Sequence, residues 1–238
     1  GAERIGMKTT VENQPGTGWM DRLKASNIAQ AWLVLLLVIG FGSALAGVQL
    51  SLGPTIEANK ANETLEQVPA LVFGEELAQK MAAQEQVPDI EPRMVAVPKA
   101  GRQVSYPVFE VRYQGDLRGW VVKASGQGYA DKIELLLGLS PQLDTITGLF
   151  VLDQKETPGL GNKVITPEWR GQFTAKNTRP ALAVVKTGAK AANEIDAVTG
   201  ATISSRSVTA IINTIISDLQ PMLAGKQSSA ATKGGNNG

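Results

Sequence analysis

The sequence predicts an α+β domain joined to a single N-terminal transmembrane helix. A long charge-free stretch near the N-terminus predicts that helix. Short segments of alternating polar and apolar residues predict strands, and an apolar pattern with intervals of three and four predicts one long helix near the C-terminus. Tight turns between the strands favour a mainly antiparallel sheet with flanking helices to one side. The 238 residues, 43% of them hydrophobic, are enough for one sizeable domain with extensions.

The charge-free stretch runs from Ala25 to Ile56. Its apolar centre, residues 28–48, would span about 31 Å as a helix, close to the thickness of a hydrocarbon core. Arg22 and Lys24 precede it, so the positive-inside tendency places the N-terminus in the cytoplasm. We therefore predict a cytoplasmic segment, a transmembrane helix and an outward-facing remainder, over residues 1–24, 25–53 and 54–238.

A signal peptide is the alternative, because Ala44-Leu45-Ala46 has the small-residue pattern of a cleavage site. Cleavage there would leave a soluble protein. Apolar residues continue past Ala46, and the polar segment before the stretch is long for a signal peptide. A retained membrane anchor is therefore the prediction.

Residues 54–99 are predicted to form a stalk and a helical lead-in. Pro54 begins a polar helical stretch, and one further helix is expected over Glu75–Ala83. The prolines of the region are expected to break it into short pieces, at positions 69, 88, 92 and 98.

The main domain is predicted over residues 100–223. Strands begin at Tyr106, where Phe109, Val111 and Tyr113 alternate with polar residues, and Gln114-Gly115-Asp116 predicts a hairpin turn. Further strands are expected over residues 117–123, 132–139, 145–152 and 181–186.

Two helix starts follow these strands. Thr166-Pro167 predicts an N-cap with proline at the first helical position. After Thr202 an apolar stripe predicts a helix packed on the core; it comprises Val208, Ile211, Ile212, Ile215, Ile216 and Leu219. Residues 224–238 are rich in Gly, Ser, Ala and Asn and are expected to be disordered.

Composition excludes several classes of site. The chain has no cysteine and no histidine, which rules out cysteine-ligated iron–sulfur clusters, attached c-type haem, the usual zinc sites and Ser-His-Asp or Cys-His catalysis. A formal net charge of +1 and the lack of basic runs interleaved with aromatics argue against nucleic-acid binding. Any redox centre must therefore be an organic cofactor, and no metal site is expected.

The stretch from Asp196 to Ser205 carries the most chemistry. Hydroxyl groups crowd the start of the last helix, where free backbone N–H groups and the helix dipole favour an anion. Gly200 and Ala201 leave room for a large ligand to approach the backbone. From the residues alone, ordinary N-capping by Thr199, Thr202 or Ser204 remains open.

The string DAVTGATIS resembles the flavin-attachment motif of the FMN-binding domain found in the Rnf and Nqr respiratory complexes. In that family a flavin transferase joins FMN through its phosphate to the last threonine of the motif. The resemblance implies a phosphoester at Thr202 and contributions to cofactor binding from Thr199, Gly200, Ala201 and Ser204. It implies that Asp196 is recognised by the transferase.

A second string, ETPGLG at residues 156–161, also resembles this family. Pro158-Gly159 is a turn dipeptide and by itself predicts only a loop. The resemblance implies that the loop lies near the flavin. The implied cofactor contacts are Glu156, Thr157, Gly159 and Leu160, with Tyr129 from a glycine-containing loop as a weaker candidate.

The resemblance implies an electron-transfer protein similar to the G subunit of the Rnf complex, which couples electron flow between ferredoxin and NAD to ion translocation. Its expected surroundings are the bacterial inner membrane and its lipid, the other membrane subunits and, during maturation, the flavin transferase, with the main domain in the periplasm. The chain alone would have no complete active site. Two alternatives stay open: the C subunit of an Nqr-type NADH:quinone reductase, and an anchored periplasmic binding or assembly protein without a cofactor.

Overall fold

The computed structural model describes residues 27–99 and 101–233, and the predicted cytoplasmic segment 1–24 lies outside this part of the chain. The chain divides into two compact units, residues 1–58 and 59–238. Helix α1, Asn27–Phe73, begins in the first unit. From Ile28 onward it is long and apolar enough to cross a membrane, with a mean hydropathy of 2.3 over an 18-residue window, and it is the one such helix among the described residues.

Helix α1 continues through Pro54 and ends only at Phe73. The prediction that Pro54 begins a separate helix is therefore wrong. A proline removes one backbone donor and strains the turn before it, but the following residues are rich in Ala, Glu, Lys and Leu, which favour helix.

The second unit is built on a five-stranded antiparallel sheet in the order β1-β2-β3-β4-β5, which confirms the α+β fold class. Helix α2, Glu75–Ala83, precedes it with the predicted bounds. The strands are β1 Asp89–Lys99, β2 Arg102–Tyr113, β3 Asp116–Gln127, β4 Lys132–Leu139 and β5 Ile146–Asp153. Each strand pairs with its neighbour in sequence, so short turns suffice to connect them.

Strand β1 lies in the region that the sequence analysis assigned to broken pieces of a stalk. It contains Pro92 and Pro98 and pairs with β2 along its whole length. Proline is tolerated there because β1 is an edge strand, where a missing N–H need not interrupt a ladder. The sheet therefore begins before residue 100, the predicted start of the domain.

Helices cover both faces of the sheet, so the expectation of helices to one side is wrong. Helix α4, Thr202–Lys233, buries its apolar stripe on the face that carries Val122 and Leu137. The last turns of α1 bury Val68 and Leu71 on the other face, against Phe109, Val111, Val121 and Leu136. Adjacent side chains of a strand point to opposite sides of the sheet, so each strand contributes apolar side chains to both faces.

The segment between β5 and α4 holds short elements. A 3-10 helix spans Gly161–Ile165, and α3 spans Pro167–Gly171 with its proline at the predicted position, although Thr166 makes no side-chain capping bond. Strand β6 is shorter than predicted and pairs in parallel with β7, which the sequence analysis did not predict; their bounds are Ala183–Val185 and Glu194–Asp196.

Helix α4 also differs from the prediction at its C-terminal end. It continues to Lys233, so residues 224–233 of the segment expected to be disordered are helical, and residues 234–238 of that segment lie outside the described part of the chain. The added turns contain alanine, lysine and glutamine, which are good helix formers.

Two glycines paired across β4 and β5, Gly138 and Gly148, let α1 approach the sheet. A Cβ atom at Gly138 would lie 2.5 Å from the carbonyl oxygen of Leu71 and 2.5 Å from Oγ1 of Thr147. We expect Gly138→Ala to lower the free energy of unfolding by about 1–3 kcal/mol, since the backbone of α1 must shift. Gly171→Ala is the matched control, because a Cβ there meets nothing within 4 Å. Urea unfolding of both variants checks this, and equal midpoints would contradict it.

Candidate functional site

Two tight turns face each other at the N-terminus of α4. The first spans residues 157–160 and is closed by a 3.1 Å hydrogen bond from the last N–H to the first carbonyl; the second spans 198–201 and is closed by one of 2.9 Å. Their third residues, Gly159 and Gly200, have φ angles of 76° and 79°, as type II turns require. A Cβ at Gly200 would lie 2.9 Å from Cδ2 of Leu160, so glycine allows the two turns to touch.

The two turns and the β3–β4 loop enclose an open cavity of about 500 Å³. That volume lies within the range of small-molecule sites. The cavity is lined by Tyr129, Thr157, Leu160, Gly161, Gly200, Ala201, Thr202, Ile203 and Ser204.

Three large apolar side chains of the lining remain exposed to solvent. The exposed fractions are 63% for Tyr129, 45% for Leu160 and 55% for Ile203. They come from three separate segments and line the same cavity. An apolar surface that folding leaves uncovered in a concave site suits a flat, partly apolar ligand.

The polar side of the cavity is the first turn of α4. Its first backbone N–H groups have no partners within the helix, and the turn itself has no acidic residue. The positive dipole end favours an anion, and the carboxylate of Glu156, which accepts a hydrogen bond from Ser204 of this turn, offsets part of it. Ser205 is committed elsewhere: its hydroxyl donates to the carbonyl of Ala201 and accepts from the N–H of Val198, both at 3.0 Å. The hydroxyl of Thr202 has no such commitment among the described residues, and Thr202 lines the cavity.

Glu156 lies behind the wall of the cavity and is only 4% exposed. Its Oε1 accepts hydrogen bonds from the backbone N–H groups of Tyr129 and Ala130, at 2.9 and 3.2 Å. Its Oε2 accepts one from the hydroxyl of Ser204 at 2.6 Å. The carboxylate therefore links the β3–β4 loop and the N-terminus of α4 to the turn at residues 157–160, which directly follows Glu156.

Two glycines make this burial possible. A Cβ at Gly161 would lie 2.9 Å from Oε2 of Glu156 and 2.8 Å from Oγ of Ser204, and a Cβ at Gly128 would collide with Oε1. In the same loop, Asp131 accepts a hydrogen bond from the backbone N–H of Lys132, which lowers the pKa of the Asp131 carboxyl group.

Asp196 and Thr199, the first residues of the predicted motif, do not line the cavity. Asp196 ends β7 and accepts a 2.9 Å hydrogen bond from the N–H of Ala189. Its backbone carbonyl accepts a 2.8 Å hydrogen bond from the indole of Trp169. Thr199 is exposed at the second position of its turn. Asp196 thus fixes the approach to the turn, and Thr199 faces solvent.

Comparison with known proteins assigns the family. The sequence model of the FMN-binding domain matches residues 128–217, a range that contains every loop of the cavity. The chain is 35% identical over 185 residues to the G subunit of the Na(+)-translocating ferredoxin:NAD(+) oxidoreductase complex of Acetobacterium woodii, covering 76% of this chain and 86% of that one. The chain belongs to this family of G subunits.

Two further relatives match a shorter region of the chain, and a solved structure matches the fold of most of it. The G subunit of the ion-translocating oxidoreductase complex of Methanosarcina acetivorans is 42% identical over 95 residues, which cover 40% of this chain and 47% of that one. The C subunit of the Na(+)-translocating NADH-quinone reductase of Vibrio anguillarum is 34% identical over 108 residues, 42% of each chain. The crystal structure of Shewanella oneidensis NqrC shares the fold, with a TM-score of 0.59 at 22% identity, and covers 72% of this chain and 99% of that one.

The structure of this G-subunit family member brings together seven of the eleven residues singled out in the sequence. Four do not line the cavity: Glu156, Gly159, Asp196 and Thr199. Gly161 and Ile203 also line the cavity and are not among the residues predicted from the sequence. Ile203 had a signal, because it is an apolar residue outside the buried stripe of α4 and is therefore expected on the surface.

Proposed function

We propose that this chain is the electron-transferring G subunit of a membrane-bound ferredoxin:NAD(+) oxidoreductase complex that translocates ions, and that it relays electrons through FMN. The family relationship and the matched FMN-binding domain support this. When bound, FMN supplies the redox chemistry, and the protein supplies position and electrostatics. The chain acts within the assembly of membrane subunits and has no complete active site of its own.

The FMN is bonded through its phosphate to Oγ1 of Thr202. The observation that carries this proposal is the uncommitted hydroxyl of Thr202 at the N-terminus of α4, inside the cavity. Phosphate groups are stabilised at helix N-termini by free N–H groups and by the dipole. Arg206 lies one helical turn further, on the same side of α4, and adds a positive charge.

Tyr129, Leu160 and Ile203 would hold the flavin ring, and the support for this placement is that these three side chains of the lining are exposed. Thr157, Gly159, Gly200 and Ala201 shape the rim through the two turns. Asp196 serves as a recognition residue for the flavin transferase that attaches the cofactor.

The domain lies in the periplasm, anchored in the inner membrane by the N-terminal part of α1, with the N-terminus in the cytoplasm. The apolar, exposed helix supports the anchor, and Arg22 and Lys24 before it support the orientation. An Nqr-type C subunit is the second candidate, favoured by the fold shared with NqrC. The longer match to the A. woodii protein supports the first candidate.

Intact mass of the protein made together with a flavin transferase tests the proposal. We expect a mass increase equal to FMN less one water, and yellow colour that remains with acid-precipitated protein. A colourless chain with the mass of its amino acids would favour the cofactor-free binding or assembly protein. Co-purification with the other membrane subunits, followed by assays with ferredoxin and with quinone, distinguishes the two complexes.

A further inference from the structure

The carboxylate of Glu156 is buried beside the cavity, and the proposed attachment of FMN to Thr202 does not involve it. The side-chain carboxylate of Glu156 accepts three hydrogen bonds and donates none, the pattern of a carboxylate anion, while its backbone N–H donates to Oε1 of Gln154. No ion pair to Glu156 forms among residues 27–99 and 101–233. Burying a negative charge without an ion-pair partner costs free energy, and here three hydrogen bonds and the N-terminal end of α4 stabilise it instead.

The position of this charge relates it to the cavity. Two of the residues that donate hydrogen bonds to it, Tyr129 and Ser204, line the cavity. Gly161 also lines the cavity and lies so close to the carboxylate that a Cβ atom there would be 2.9 Å from Oε2 of Glu156. One layer of protein therefore separates the charge from the space in which the flavin is proposed to lie. A charge in such a low-dielectric environment acts over several ångströms with little screening.

We propose that the buried negative charge of Glu156 holds the reduction potential of the flavin low. This inference rests on the proposed function. Reduction adds electrons to the cofactor, and a nearby fixed anion opposes the added negative charge. The same carboxylate fixes the loop of Tyr129 and the first turn of α4, so a substitution that keeps its shape is needed to separate charge from geometry.

Glu156→Gln is that substitution, and spectroelectrochemical titration of the FMN-loaded protein is the measurement. The amide oxygen can still accept from the two backbone N–H groups. We expect the equilibrium constant for one-electron reduction to rise roughly tenfold, the effect of removing a charge about 10 Å away at an effective dielectric constant of about 20. A tenfold change is a shift of 59 mV toward more positive potential for a one-electron couple.

Ser204→Ala is the second variant, and it is expected to shift the potential in the opposite direction. It keeps the charge of Glu156 but removes the hydroxyl dipole that partly offsets it. Glu168→Gln is the control for a change of one charge, since Glu168 is exposed and lies outside the cavity. The reduction potential of FMN-loaded Glu168→Gln should equal that of the FMN-loaded protein without a substitution.

The outcomes separate this inference from the proposed function. If the protein without any substitution, produced with the flavin transferase, carries no FMN by intact mass, both the proposed function and this inference are overturned. FMN-loaded Glu156→Gln with an unchanged potential, or shifts of the same sign in both variants, overturns the inference alone, since loosened geometry would act on both alike. If Glu156→Gln does not fold, the sign of the shift in Ser204→Ala decides.

Discussion

Thr202→Ala is expected to abolish covalent attachment of FMN completely. Thr202 lines the cavity at the N-terminus of α4, and its hydroxyl makes no hydrogen bond among the described residues. The hydroxyl of Ser204 donates to Glu156, and that of Ser205 bridges two backbone groups. Intact mass after production with the flavin transferase should therefore equal that of the amino acids.

Two further variants make this experiment specific. Thr202→Ser restores a hydroxyl at the same position and should recover attachment at least in part. Thr157→Ala removes the other threonine hydroxyl of the cavity lining and should leave the FMN attached. A flavin that remains bonded to Thr202→Ala would show that another hydroxyl, that of Thr157, Thr199 or Ser204, is the attachment point.

The sequence predicted those elements whose local pattern matches their final environment. Strand β4 and helix α2 have the predicted bounds because alternation, flanking turns and helix-favouring residues all indicate the same element. The long helix after Thr202 was predictable because its apolar residues keep a period that only one helical face can satisfy. The motif around Gly200 was recognisable from a resemblance, and the structure supplies a physical reason for its glycine, since the turn needs a positive φ there.

The missed features depend on tertiary position, which a local pattern does not contain. Pro92 and Pro98 predict a broken chain unless the strand is known to lie at an edge. Nothing around Val68 and Leu71 indicates which face of the sheet they cover. The family resemblance implies that Glu156 contacts the cofactor, and this stays a prediction; its burial and hydrogen bonds behind the cavity wall depend on tertiary position.

A fragment that begins at residue 100, where the sequence analysis placed the domain start, is expected not to fold. It lacks β1 and the last turns of α1, so Phe109, Val111, Val121 and Leu136 lose their cover. Burial of one such side chain contributes roughly 1.5–3 kcal/mol, so exposure of all four costs about 6–12 kcal/mol. The total stability of a domain is only about 5–15 kcal/mol.

A fragment that begins at residue 59, the first residue of the second unit, keeps every one of these contacts and should unfold cooperatively. A third fragment from residue 75 retains β1 but lacks α1, which isolates the contribution of Val68 and Leu71 from that of the strand. Far-UV circular dichroism and thermal unfolding of the three fragments check the order 59, then 75, then 100 in stability. If the fragment from residue 100 unfolds cooperatively with a melting temperature equal to that of the longest one, α1 and β1 are dispensable attachments, and the uncovered face must be stabilised by the strands themselves.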